Sequence, residues 1–274
     1  MNLELDPAAA WQPWRPSADE PWGRKWAAHL YRRAAFGPLH DELAEAERLG
    51  LDGTLTLLLN GRPQAADLVE TLADVGRVAT KSDDPDQLRG WWVYCMLHGG
   101  HPLREKMTLF WHNHFATSIA KVRRTATMLQ QNQLLRTHAL GKFGPFLHAM
   151  GRDAAMLVWL DSNSNVKGAP NENYAREVME LFSLGVGNYT EKDIREAARA
   201  FTGWHTDGHG FKFNAAQHDG GSKTIFGKTG NWDGGDVVPM LLERPSVARF
   251  LVGKLYAFLV SEVAPPAALL DPLC

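Results

Sequence analysis

Cysteine is nearly absent from this chain, with two in 274 residues. That count rules out a disulfide framework and a zinc ribbon. Cys95 lies in the apolar run Trp91-Trp92-Val93-Tyr94-Cys95-Met96-Leu97 and reads as a free core thiol, and Cys274 is the last residue. Long hydrophobic runs are missing too. No stretch reaches the ~18 apolar residues a membrane helix needs, so no membrane span is expected. The first 22 residues are acidic and rich in Trp and Pro, without the basic start and apolar run of a secretory signal. The default expectation is a cytoplasmic, soluble protein, although a start that had been trimmed would read the same way. There is no excess of one charge. Lys and Arg number 29 against 31 Asp and Glu, so no basic field exists to attract nucleic acid. No P-loop, GxGxxG fingerprint or Gly-x-Ser-x-Gly elbow is present.

What is present is ordinary globular composition, 45% hydrophobic and 22% charged, in a helix-rich pattern. Residues 1–20 read as a tail, 21–262 as a single helical domain and 263–274 as a C-terminal tail. Pro21 opens a helix closed by Gly37-Pro38, and an amphipathic helix runs from Leu39 to Leu49, ended by Gly50. Two short helical segments follow, to about Ala79. Helices are predicted over Gln87–Leu97, Leu103–Phe115 and, capped by Ser118, the long stretch Ile119–Leu140. One or two more cover Phe143–Leu160, and another covers Asn171–Leu184. Thr190 with Asp193 reads as a capping box for the next helix. Ser246 caps a last helix, to Val260. Only 205–230 departs from this pattern. Its short runs Phe211-Lys212-Phe213 and Thr224-Ile225-Phe226 among glycines suggest a β-hairpin. The expected fold class is therefore all-α, a multi-helix bundle with one small β-hairpin excursion.

Four constellations could carry chemistry. In the helix from Asn171, Tyr174, Ala175, Val178, Met179, Leu181 and Phe182 fall on one arc at about 100° per residue. Glu172, Asn173, Arg176, Glu177 and Glu180 fill the other arc. Exposed, that face is a row of ion pairs. Turned inward, Arg176 would hold one carboxylate ionised while another stays protonated, which suits acid–base chemistry. The second constellation is His112-Asn113-His114. A consecutive tripeptide in a helix is not the scattered ligand set of an HNH nuclease. His114 shares the apolar stripe of Leu103, Met107 and Phe110, so it reads either as a satisfied core histidine or as a partner of Glu177 or Glu180. His112 points away and reads as a surface residue.

The third constellation is Asp161-Ser162-Asn163-Ser164-Asn165. With Glu172 it matches EF-hand positions one, three, five and twelve, so Asp161, Asn163, Asn165 and Glu172 are candidate ligands for a divalent ion such as calcium. Val166 stands where such a loop needs Gly, and the alternative is an Asx-rich loop that satisfies its own backbone. The fourth comprises His205, His209, His218, Asp219 and Lys223, of which the His218-Asp219 pair could fix an imidazole tautomer or clamp a loop.

Several stretches together resemble the domain-of-unknown-function 1800 family. They are His29-Leu30-Tyr31-Arg32-Arg33-Ala34-Ala35-Phe36-Gly37, the LFWHNHFATS run from Leu109 to Ser118, and Leu160–Gly187 with its NENYAREVMELFSLGVG. Glu191–Trp204 and His218-Asp219 through Gly227 extend the likeness. The resemblance implies a bacterial, mainly helical protein with no established activity to carry over. It also implies a partner, because members are often encoded beside a family resembling alkaline phosphatases and sulfatases. Members usually continue past the point where this chain stops, so its end looks truncated by comparison.

The leading functional expectation is an enzyme whose site gathers Glu177, Glu180, Arg176 and His114 for carboxylate- or metal-assisted hydrolysis or transfer on a polar substrate, a glycan or a phosphorylated polymer. Asn171, Asn173, His218, Asp219 and Lys223 would bind that substrate. One alternative is a non-catalytic helical module that binds the phosphatase-like or sulfatase-like partner. Another is a calcium-stabilised structural domain.

Overall fold

The computed structural model describes residues 6–274. Its first half is a run of helices: α1 (Pro7–Ala10), α2 (Arg24–Ala34), α3 (His40–Asn60), α4 (Ala66–Ser82), α5 (Pro85–His98), α6 (Pro102–His114), α7 (Ile119–Val122) and α8 (Thr125–His138). Then come α9 (Phe143–Met150), α10 (Ala154–Trp159), α11 (Asn173–Glu180) and α12 (Glu191–Ala200). The strands β1 (Trp204–Thr206), β2 (Phe211–Phe213), β3 (Lys223–Ile225) and β4 (Lys228–Gly230) precede α13 (Gly234–Leu242), α14 (Pro245–Leu259) and α15 (Ala267–Leu270). The molecule is mostly helical. Among the described residues, no helix is long and apolar enough to cross a membrane.

Punctuation residues set most boundaries. Asp84 accepts from Asp86 N at 2.9 Å and Pro85 occupies the first turn of α5. The Thr190–Asp193 capping box of α12 is present as the sequence suggests. Gly50, at φ +72°, breaks α3 into two segments without separating them. The long helix expected over 119–140 is instead two. Ser118 does cap Ala120 N, but Arg123 adopts a left-handed φ of +57° and α8 restarts at Thr125. The cause lies far away in sequence. Asp83 accepts from both Thr125 N (2.9 Å) and Thr125 Oγ1 (2.7 Å), fixing the start of α8 against the end of α4. Helix α11 is also shorter than its pattern. Phe182 N bonds Glu177 O, Leu184 N bonds Met179 O, and Gly185 at φ +78° closes the wide final turn. Helix α14 starts at Pro245 with Arg244 as N-cap. Ser246 therefore lies inside the helix, its hydroxyl buried without a partner.

The single expected hairpin resolves into two ladders. β1 pairs with β2 in the register Trp204↔Phe213, and β3 with β4 in the register Lys223↔Gly230. Phe226 and Gly227, both at positive φ, make the tight turn of the second.

The main core runs through α6, α8 to α14 and the strands, and includes Phe115, Phe146, Val178, Ile194, Phe201 and Val237. Each such side chain contributes about 1.5–3 kcal/mol when fully buried. A smaller core joins α2 to α3 through Ala27, Tyr31, Ala35, Ala46 and Leu58. Lys106 Nζ fastens α2 to α6 by donating to Arg32 O (3.0 Å) and Ala35 O (2.8 Å) at the end of α2. The stretches read as tails are anchored within the described residues. Trp14 lies on Trp26 at 4.9 Å, and Trp11 Nε1 donates to Leu269 O at 2.7 Å.

Candidate functional site

The sequence-predicted residues do not assemble into one site. On α11, Arg176 donates to Glu191 Oε2 at 2.8 Å and to Glu172 Oε2 at 3.0 Å, all three at least a third exposed. Glu180 accepts from Tyr189 Oη at 2.6 Å. The Glu177 side chain is half-buried and makes no hydrogen bond among the described residues. Its carboxyl is raised above the usual range by burial and by the neighbouring Glu180. His114 does not reach either carboxylate. It donates through Nε2 to Phe182 O (3.0 Å), while Lys254 Nζ donates to its Nδ1 (3.3 Å) and to Leu181 O (3.2 Å). His114 and Lys254 thus satisfy the carbonyls that follow α11, the task of a C-terminal cap. Burial lowers the imidazole to about 3, with Lys254 adding to the effect, so His114 is neutral.

The 218–223 loop is likewise a clamp. His218 Nδ1 donates to Thr202 O at 2.9 Å and does not touch Asp219. Asp219 Oδ2 instead accepts from Arg199 Nε at 2.7 Å, and that guanidinium holds the carboxyl down at about 2. Lys223, 1% exposed, donates inward to Asp219 O (2.5 Å) and Gly221 O (3.0 Å), which leaves it turned away from any substrate.

Each of the four candidate side chains of the EF-hand-like loop already has a protein partner. Asp161 pairs with Lys121 at 2.7 Å, and Glu172 with Arg176. Asn163 Oδ1 accepts from Thr206 N at 2.8 Å. Asn165, 2% exposed, accepts from Asn171 N and donates to Ala198 O, both at 2.9 Å. Asn171 accepts from Asn173 N and donates to Ser164 Oγ, while the Asn173 side chain is half-buried without a hydrogen bond. These amides extend backbone pairing between segments and do not face one ion. Among the described residues, no group of three or more His, Cys, Asp or Glu side chains is placed to hold a metal.

A cleft of about 190 Å³ stands elsewhere, between α5, α6, α7 and α8, and sequence reading missed it. Trp91, Trp92, Leu88, Ile119 and Met128 give it apolar walls, and His112, Thr117, Ser118, Arg89 and Asn132 add polar ones. Two buried polar atoms among these residues have no partner: the indole Nε1 of Trp92 and the amide Oδ1 of Asn132, a residue only 7% exposed. Buried polar groups are satisfied in the great majority of cases, so an unpaired donor and an unpaired acceptor on two residues that line one cleft are an exception that needs a cause. His112 is not a surface residue. It lies edge-on to Trp92 at 5.0 Å and 81°, and burial alone lowers its pKa. Behind the cleft the frame is tied down. Thr117 Oγ1 donates to Gln131 Oε1, and Gln131 Nε2 donates to Asp153 Oδ1 at 2.6 Å.

Two signals in the sequence pointed here. Adjacent Trp91 and Trp92 sit about 100° apart on a helix, so both cannot face the core. Asn132 is a poor helix former placed mid-helix.

Comparison with known proteins adds lineage and no chemistry. No curated protein and no solved structure matches the chain. One family model, described as protein of unknown function (DUF1800), matches residues 29–274. The match runs from within α2 to the last residue and takes in the α11 segment, the α6 histidines and the 218–227 loop, so the chain belongs to the DUF1800 family.

Proposed function

We propose that this domain is a binding module for a small ring-bearing molecule seated in the cleft between α5, α6, α7 and α8. The observation that carries the reading is that two residues lining the cleft each keep a buried polar atom with no partner among the described residues, Trp92 Nε1–H as donor and Asn132 Oδ1 as acceptor. A ligand that fits has a flat apolar body for the Trp91, Leu88 and Met128 walls, one acceptor for the indole and one donor for the amide. A cleft of about 190 Å³ suits a six-membered ring, since cavities of about 150 Å³ hold benzene. Uncharged ligands are favoured, because burial disfavours the charged form of His112 and Arg89 is paired with Asp86.

Calorimetry with 2-pyridone, whose carbonyl and N–H supply that acceptor and donor, tests the reading. Saturable binding that Asn132→Leu abolishes is the expected result. Equal binding of benzene and 2-pyridone, or no binding of either, contradicts it.

The catalytic reading keeps one supporting observation, the raised and unpaired carboxyl of Glu177, which would act as a proton donor. Loss of a cellular phenotype in Glu177→Gln with an unchanged melting temperature would favour it. Docking of a phosphatase-like or sulfatase-like protein on the α11 face draws no support from that face, because Arg176 is already satisfied by Glu172 and Glu191.

A further inference from the structure

A second cavity, of about 350 Å³, opens between α4, α5, α6 and α8 and shares only Trp91 with the first. Its charged lining is Arg77, Arg104, Glu105 and Arg136. Glu105, 3% exposed at its side chain, spends both carboxylate oxygens on Arg136, at 2.6 and 2.9 Å. The Arg136 guanidinium also lies over the Trp91 ring at 5.3 Å. Arg77 is paired with Asp74. Arg104 is left over. It is half-buried, it makes no side-chain hydrogen bond and no ion pair among the described residues, and its Nε is sealed from solvent without an acceptor. Its positive charge is felt next door, where it joins burial in lowering the pKa of His101.

A guanidinium N–H shut off from water with no acceptor is costly unless an anion completes the group. Its flat fork of donors matches the two oxygens of a carboxylate, phosphate or sulfate group. We infer that this cavity is an oxyanion site with Arg104 as its principal ligand. Glu105 does not repel the anion, because Arg136 neutralises it. The nearby thiol takes no part: burial pushes Cys95 up to about 11, so it is protonated and inert at neutral pH. The site is independent of the Trp92 cleft, since no polar side chain is common to both.

The test is a titration of the whole chain with sodium acetate, phosphate and sulfate, following the Arg104 Nε–Hε cross-peak by NMR, with sodium chloride at matched ionic strength as control. The expected result is a saturable shift with at least one oxyanion and none with chloride. Acetate acting best identifies an organic carboxylate as the source, and phosphate or sulfate acting best identifies a tetrahedral group. Because Arg104 holds nothing in the empty protein, Arg104→Gln should melt no lower than the parent while losing oxyanion binding, read by calorimetry as at least a tenfold weaker Kd. An Arg104 peak that responds to no oxyanion beyond chloride overturns the assignment. So does an Arg104→Gln variant that binds as tightly as the parent.

Discussion

Asn163 pairs with Thr206 as a neighbouring strand would, donating from Nδ2 to Thr206 O at 2.9 Å and accepting from Thr206 N at 2.8 Å. One side chain thereby completes the free edge of β1 and ties it to the 161–165 loop. Asn163→Ala strands both backbone groups of a residue only 7% exposed and should cost ~1–3 kcal/mol. Asn163→Asp should also destabilise, since a carboxylate cannot donate to Thr206 O. Urea denaturation measures both. Because the Asn163 oxygen is already engaged, millimolar calcium should leave the parent midpoint unmoved, and a calcium-dependent rise would restore the metal-loop reading.

The helical architecture was legible because periodicity and caps are local. Ser118, Thr190 with Asp193, and Gly50 each act within a few residues of where they stand. The breaks at Arg123 and the end of α11 were not legible, since Asp83 docking on Thr125 and His114 docking on Phe182 are contacts between distant parts of the chain. Glu172, Asn173, Arg176, Glu177 and Glu180 were read onto one arc of 171–180, either exposed as a row of ion pairs or turned inward as a site. Whether it turned inward depended on Glu191, which reaches across from α12 to take Arg176. Sequence pattern favoured carboxylates and consecutive histidines, the residue types with known chemistry. The unsatisfied groups that line the two cavities are an indole, an amide and an arginine, and being unsatisfied is a property of neighbours that no spacing reveals.

The Arg136–Glu105 pair is the most deeply buried ion pair described. Arg136→Met leaves the Glu105 carboxylate uncompensated at 3% exposure and should cost ~3–5 kcal/mol by chemical denaturation. Adding Glu105→Gln to that variant should recover much of the loss. A double variant as unstable as the single one would mean that packing of the Arg136 stem on Trp91, and not charge, is what matters.

Arg176 offers the contrast. Its two partners are 37% and 61% exposed, so Arg176→Ala should change stability by less than ~1 kcal/mol and lose even that in high salt. A larger, salt-independent loss would show that the α11 face is more sheltered than its exposure indicates.

Two buried groups give stability opposite dependences on pH. His114 stays neutral down to about 3, against 6.5 when unfolded. As pH falls below 6.5 the unfolded chain takes the proton first, so this group should remove about 2 kcal/mol of stability by pH 5. Asp153 is raised by burial from 3.8 to about 6. Here the folded state takes the proton first, so on the order of 3 kcal/mol returns as pH falls from 6 to below 4. Denaturation from pH 7 to 4 should show Asp153→Asn losing ground against the parent as pH drops, and His114→Gln gaining it. Curves parallel to the parent would contradict both assignments.

The central claim is that Trp92 Nε1–H and Asn132 Oδ1 are held unpaired for a ligand, and the indole proton reports on it directly. Its ¹⁵N cross-peak, assigned by its disappearance in Trp92→Phe, should move downfield saturably on addition of 2-pyridone as it gains an acceptor. It should respond far less to benzene, and the Asn132→Leu variant should weaken the response. A Trp92 indole peak that stays in place at saturating 2-pyridone would contradict the account.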